Sequence, residues 1–155
     1  MITIAPVRPE DKALLFSINQ KYLYEMTAFY PDDMDVHGNY HYGHFEEYFT
    51  DPRRRAFFFC DGAVMVGFAM VHPYSVLGRT PDHTMAEFTV FPSYRRRGYA
   101  LDAARQLLTA NRGEWEIKYN EKNAAGKALW AKVSAPYAPT VHHLNDVETV
   151  LSFTV

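Results

Sequence analysis

One cysteine, Cys60, stands in 155 residues, so no internal disulfide framework is available and the expected setting is a reducing one, the cytoplasm. No apolar run approaches the ~20 residues that a membrane-spanning helix needs, and Met1 to Arg8 lacks the basic-then-apolar layout of a secretory leader. Neither sign of charge dominates: 16 Lys and Arg face 18 Asp and Glu, a net charge of −2. A general polyanion binder is therefore not expected, because nonspecific nucleic-acid affinity comes from a basic surface that neutralises phosphates. Repeats, low-complexity tracts and linkers are missing too, which leaves residues 1–155 as a single expected domain. The Gly-x-Gly-x-x-Gly fingerprint is absent, and Gly126-Lys127 has no upstream glycine at the Walker spacing. His37, His41 and His44 are interrupted by Gly38 and Gly43 and joined by no fixed acid or cysteine, so no metal is expected.

What is abundant is aromatic. Eleven Tyr, eleven Phe and two Trp make up 15% of the chain, enough to build a core or pocket on large rings. At this length about 70% of the unfolded surface can be buried, so a core needs no staples.

The chain reads as an alternation of short elements. Ile2 to Val7 is a strand, and Pro9-Glu10-Asp11 looks like the opening of a helix whose apolar face, Leu15, Ile18, Tyr22 and Met26, runs to about Met26. From Ala28 to Thr50 the periodicity fails, and a structured loop or lid with a short helix at His44 to Phe49 is expected. Ala56 to Cys60 and Ala63 to His72 are strands joined at Asp61-Gly62, with Gly67 as a weak point or bulge. Met85 to Phe91 is a strand, a helix runs from near Tyr94 to about Asn111, Trp115 to Tyr119 is a strand, Asn123 to Val133 a short helix and Glu148 to Val155 a final strand. The apolar Val150 to Val155 run leaves both a monomer and a homodimer open. Strand, helix, strand between Met85 and Tyr119 implies two parallel strands joined by a right-handed crossover, with ligands at their carboxyl ends. That end carries Arg95-Arg96-Arg97-Gly98-Tyr99-Ala100, where successive N–H groups at a helix start, one glycine and three arginines describe a cradle for a pyrophosphate. The other triplet, Arg53-Arg54-Arg55, has no glycine and no helix after it, and reads as an exposed, charged lead-in to a strand.

This loop, placed after a strand ending Val90-Phe91-Pro92, resembles the Arg/Gln-x-x-Gly-x-Gly/Ala loop of the GNAT superfamily of N-acetyltransferases. Asn123, Leu129 and Trp130 fall where that family's Asn-x-x-Ala-x-x-Leu-Tyr helix falls, and Arg8-Pro9-Glu10-Asp11 resembles its opening. The resemblance implies an α/β (α+β) fold with a mixed, strongly twisted sheet of about six or seven strands flanked by helices, in which parallel strands 4 and 5 splay apart. It implies acetyl-CoA as co-substrate, pairing with the strand that carries Phe88 and Val90. Its pyrophosphate would sit on Arg95, Arg96, Arg97, Gly98, Tyr99 and Ala100, and Asn123 would touch the pantetheine or diphosphate side. The activity implied is acetyl transfer to a primary amine of a small molecule, with a peptide amine as the other acceptor class; neither nucleic acid nor membrane is an expected partner.

Within that frame Glu87, the only acid in the strand beside the cofactor, is the candidate base, and a structural acid hydrogen-bonded across the sheet is the alternative. Tyr30, Tyr40 and Tyr42 are the candidate acceptor contacts, and the nearby carboxylates suit a cationic or aromatic amine. Trp130 stands where the family usually places an acidic tyrosine. An indole N–H cannot protonate a thiolate, so Trp130 reads as a packing ring, Tyr119 and Tyr137 become the nearest candidate acids, and a noncatalytic acyl-CoA-binding or interaction module is the rival reading.

Overall fold

The computed structural model describes all 155 residues. Pro9–Asp11 forms a tight turn, with the Arg8 N–H donating to Asp11 Oδ2 at 3.2 Å, and leads into α1 (Lys12–Met26). Leu15 and Ile18 bury the inner face of that helix. Before it lies β1 (Thr3–Pro6), and after a long irregular segment come β2 (Arg55–Asp61), β3 (Val64–His72) and β4 (His83–Val90). Helix α2 (Tyr99–Ala110), β5 (Glu114–Asn120), α3 (Ala124–Ser134), β6 (Thr140–His143) and β7 (Glu148–Thr154) complete the chain. The seven strands form one mixed sheet in the order β1-β2-β3-β4-β5-β7-β6.

Two cores sandwich this sheet. On one face Ala103, Ala104, Leu107 and Leu108 of α2 and Trp130 and Val133 of α3 cover Phe59, Val71, Met85, Trp115, Ile117 and Phe153. On the other, α1 with Phe45 and Tyr48 covers Phe58, Phe68 and Met70. The four residues Glu46–Phe49 form a 3-10 turn rather than an α-helix from His44.

All β-ladders are antiparallel except β4 with β5, which pair in parallel only over His83–Met85 against Trp115–Ile117. Beyond those three residues the strands separate. The separation begins where β4 takes in one extra residue: Met70 pairs with Glu87 but Val71 with Met85, so Ala86 is a bulge. A bulge sharpens local twist and reverses the facing of every residue after it. Met85 faces the α2 core, Ala86 the α1 core, and Phe88 and Val90 the α2 core again. Glu87 is thereby turned onto the α1 side, where the Tyr42 hydroxyl meets it.

Four expectations are corrected by the fold. The hairpin turn is Gly62-Ala63, because Asp61 still pairs with Val64. Helix α2 starts at Tyr99, not near Tyr94, since Arg96 (φ 64°) and Gly98 (φ 83°) are left-handed and interrupt the helical path. Edge strand β6 went unread because Thr140–His143 is short and has no apolar alternation. Arg54 is not exposed: its guanidinium lies 4.6 Å from the Tyr74 ring and 5.6 Å from the Tyr48 ring, with only 8% of its side chain accessible.

The bulge expected at Gly67 falls on its neighbour Val66, because Gly67 still pairs with Phe59 while Cys60 pairs with Met65. A Cβ on Gly67 would sit 2.2 Å from the Thr89 carbonyl oxygen and 2.8 Å from Phe59. Gly67→Ala should therefore cost about 3 kcal/mol of stability or more, read as a lowered midpoint in urea; a loss below about 0.5 kcal/mol would show that β3 and β4 can move apart freely.

Candidate active site

The site is built where β4 and β5 part. Phe91 N–H donates to Val66 O at 2.8 Å, which sets the phase of the β3–β4 ladder. Antiparallel bonding alternates, so the N–H groups of Phe88 and Val90 face away from β3 into the gap. The gap thus presents an unpaired strand edge. Below it the Phe88 ring packs edge-on against Trp130 at 4.9 Å and against Phe59 at 5.1 Å, which makes Trp130 a buried floor.

At the mouth of the gap lies the arginine loop. No N–H from Arg96 through Leu101 has an acceptor within the chain, and the first helical bond is Asp102 N–H to Gly98 O at 3.1 Å. Six successive free donors at a helix start, shaped by two left-handed residues, form an anion nest. Arg96 and Arg97 are exposed beside it. Tyr99, the first helical residue, donates its hydroxyl to Asp61 and ties the β2–β3 turn to the loop. Arg95 is placed differently from its neighbours. Its N–H goes to Pro92 O at 3.3 Å, and its guanidinium donates to Val90 O at 2.7 Å and to Glu25 at 2.6 Å, so it clamps the end of β4 to α1. Asn123 caps α3, its Oδ1 accepting from Gly126 N–H at 3.0 Å, and leaves its Nδ2 free.

The α1 side of the gap holds Glu87. Tyr42 donates to Glu87 Oε1 at 3.1 Å, and the Tyr22 hydroxyl acts on the same carboxylate as a second donor. Burial raises the Glu87 pKa to about 7, against the opposing pull of the Tyr22 and Tyr42 hydroxyls and the Lys118 charge. The same burial pushes both tyrosines far above their ordinary value, so they remain donors at neutral pH. On the opposite wall Lys118 pairs with Glu148 at 2.9 Å, and Tyr30 donates to the same carboxylate at 3.0 Å.

Of the three predicted acceptor tyrosines, then, Tyr42 touches Glu87 and Tyr30 stands on the facing wall. Tyr40 is elsewhere: its backbone is clasped by Gln20 at 2.7 and 2.8 Å, on the outer side of α1. Three acids of the Ala28–Thr50 segment also turn away. Asp35 caps its own loop, Glu46 pairs with Lys12, and Glu47 with His44 and Arg54. Tyr137 stacks on Phe153 at 5.6 Å, beside a cavity lined by Arg79 and Thr140. Tyr119 lies against the α2 and α3 core.

The match to known proteins agrees with this geometry. A model of the Acetyltransferase (GNAT) family fits residues 20–134. The chain belongs to the GNAT acetyltransferase family. No curated protein matches it by sequence. Solved GNAT structures share its fold from end to end: an acetyltransferase from Thermus thermophilus superposes with a TM-score of 0.68 at 20% identity, covering 100% of this chain and 97% of the other. Arabidopsis thaliana NAA60, solved with acetyl-CoA, gives 0.65 at 13% identity over 100% and 99%. Spermidine N-acetyltransferase from Vibrio cholerae, solved with CoA and spermine, gives 0.63 at 10% identity over 99% and 94%.

Three polar residues of this GNAT site, Tyr22, Lys118 and Glu148, escaped the sequence reading. Tyr22 counts as one of the apolar residues of α1. Lys118 carried a usable signal: Glu116, Lys118 and Asn120 alternate with Trp115, Ile117 and Tyr119, marking one polar face on β5.

The raised Glu87 pKa has a consequence for stability. The native state holds the proton more tightly than the unfolded chain, so stability falls as pH rises from the ordinary value of 4.5 to about 7. Glu87→Gln removes that charge and keeps an acceptor for Tyr42. The variant should be more stable than the parent at pH 8, by at most about 3 kcal/mol, and the advantage should vanish near pH 4.5 in denaturation curves. Parallel curves at both pH values would contradict a buried, reluctant carboxylate.

Proposed function

We propose that this GNAT protein is a one-domain, cytoplasmic enzyme that transfers the acetyl group of acetyl-CoA to the primary amine of a small molecule, with Glu87 as general base. The observation that carries this is the conjunction at one gap of an unpaired strand edge, six free N–H donors and a half-buried carboxylate with a pKa of about 7. Acetyl-CoA supplies an acetyl group activated as a thioester. The free N–H groups of Arg96 to Leu101 suit a diphosphate, and the Phe88 and Val90 edge suits the amides of a pantetheine arm, joined as strands join. We assign Asn123 Nδ2, left free at the cap of α3, and the exposed Arg96 and Arg97 side chains as further donors to the cofactor.

The chemistry asked of the chain is modest. An alkylamine with a pKa near 10.4 is neutral about once in 10³ at pH 7, a handicap of roughly 4 to 5 kcal/mol that a nearby base offsets. Glu87, half ionised near pH 7 and held in place by Tyr42, can take that proton. The Val90 N–H can donate to the thioester oxygen as negative charge develops on it. As the amine nitrogen bonds to the acetyl carbon the carbon–sulfur bond breaks, and the thiolate, with a pKa near 8.5, leaves without a phenol beside it. Trp130 serves that step as a floor, not an acid.

Thermal melts should rise with acetyl-CoA and CoA and not with ATP, because a ligand that binds only the native state stabilises it by mass action. Gly98→Val puts a β-branched residue at φ 83° and should weaken CoA binding at least about tenfold; unchanged affinity would remove the nest assignment. In thiol-release assays the parent's rate should rise with pH through about 7, and Glu87→Gln should lower kcat at least about 10²-fold and abolish that rise. An unaltered pH profile would make Glu87 structural. Tight CoA binding with no thiol release from any amine would instead favour a noncatalytic module, the reading that Trp130 in the tyrosine position supports.

A further inference from the structure

We propose that the acceptor is an amine that also carries an anionic oxygen group, a carboxylate or a phosphate, and that Lys118 recognises that group. The inference rests on the acetyl-transfer reading for the placement of the amine at Glu87. It comes from counting which hydrogen-bonding groups in the cleft remain unused. The register puts Lys118 on the same sheet face as Glu116 and Asn120, past the last β4–β5 pair, where its charge acts on Glu87 across the gap.

Glu148 is the acid paired to Lys118, and three of its acceptor positions are taken up. Oε2 accepts from Lys118 at 2.9 Å and from Tyr30 at 3.0 Å, while Oε1 accepts from Asn145 Nδ2 at 2.8 Å. These donors hold the Glu148 pKa below the ordinary range despite partial burial, so it stays an engaged anion. Asn120 is engaged as well, its Oδ1 by Lys122 N–H at 2.9 Å and its Nδ2 by Phe29 O at 3.4 Å. Lys118, with three N–H donors and 37% of its side chain accessible, spends one of them on Glu148. The wall facing Glu87 therefore offers two spare donors on Lys118 against one remaining acceptor position, on Glu148 Oε1, the Glu116 carboxylate being buried behind it. A substrate with a second ammonium would meet a cation there without a free carboxylate, whereas an anionic group completes the unused valence of Lys118.

This sets the protein apart from a polyamine acetylase even though a spermidine N-acetyltransferase shares its fold. Of the acids that made a cationic acceptor attractive from sequence, Asp35, Glu46 and Glu47 are spent elsewhere, Asp32 accepts from the Asp33 N–H, and the Asp33 carboxylate is exposed on the surface.

The test uses the full chain and five probes of similar length: a neutral alkylamine, an ω-amino carboxylate, an aminoalkyl phosphate, a diamine and spermidine. Each is scored by thiol release from acetyl-CoA and, separately, by titration calorimetry into the CoA complex. The expected result is kcat/KM at least tenfold higher for one of the anionic amines than for the diamine and spermidine, the carboxylate and phosphate arms telling which oxygen anion is meant. Lys118→Met should erase that preference, Lys118→Arg should restore most of it, and Lys118→Glu should shift it toward the diamine. Preference for the diamine or spermidine in the parent protein, or an anion preference unchanged in Lys118→Met, overturns the proposal. Binding with the expected charge preference but without thiol release would overturn the acetyl-transfer reading and leave the role of Lys118 standing. Failure of both anionic amines to bind or react overturns the role of Lys118.

Discussion

One extra residue in β4 governs the site. Ala86 has no partner on β3, and the parallel pairing with β5 ends one residue earlier, at Met85. The bulge does two things at once. It adds twist where the two strands would otherwise continue side by side, and it reverses the facing of the residues that follow. Without the reversal Glu87 would point into the apolar core under α2, and Phe88 would point toward α1. With it, the carboxylate meets Tyr42 and Tyr22 while the Phe88 ring closes the floor against Trp130.

The surrounding structure keeps that break open. Arg95 binds the Val90 carbonyl, Thr89 and Glu25, so the end of β4 is tied to α1 rather than to β5. The loop can then rise into α2 with its first donors unspent, and left-handed Arg96 and Gly98 aim them outward. Gly67 brings the β3 backbone close enough to Thr89 that no side chain fits between them, which holds the bulged strand from behind. A motif of three arginines thus divides its work: the first is a structural clamp, and the N–H groups from the second onward are left without partners.

Electrostatics on the two sides of the gap are unequal. The Glu87 side is half-buried and lined with tyrosine donors; desolvation raises the carboxyl pKa to about 7, and the donors hold the anion in place when it forms. The β5 and β7 side is wetter and carries the ion pair of Lys118 with Glu148. A base that releases and accepts a proton near neutral pH needs the first environment, and a charge that reads a substrate at modest desolvation cost suits the second.

Much of this architecture is legible in the amino-acid sequence itself. Six of the seven strands, all three helices and the crossover can be placed from it, because burial on a sheet or helix imposes a period on the chain and turns impose their own residues. The arginine loop is legible for a related reason: a backbone anion site needs glycine and a helix start in fixed order, and both are local. Glu87 stands out as a lone acid in an apolar strand. What only the tertiary structure decided was facing and partnership. A bulge such as Ala86 has no sequence signature of its own, so the side on which Glu87 lies, and hence its tyrosine partners, followed from register. Arg54 looked like a solvated charge and is buried under two rings, and Arg95 looked like a phosphate ligand and is a clamp, because a long side chain takes whatever acceptors the fold brings within reach. Local chemistry was written in the order of residues, while the pairing of distant residues, Tyr42 with Glu87 or Lys118 with Glu148, was decided by the packing of strands and segments far apart in the chain.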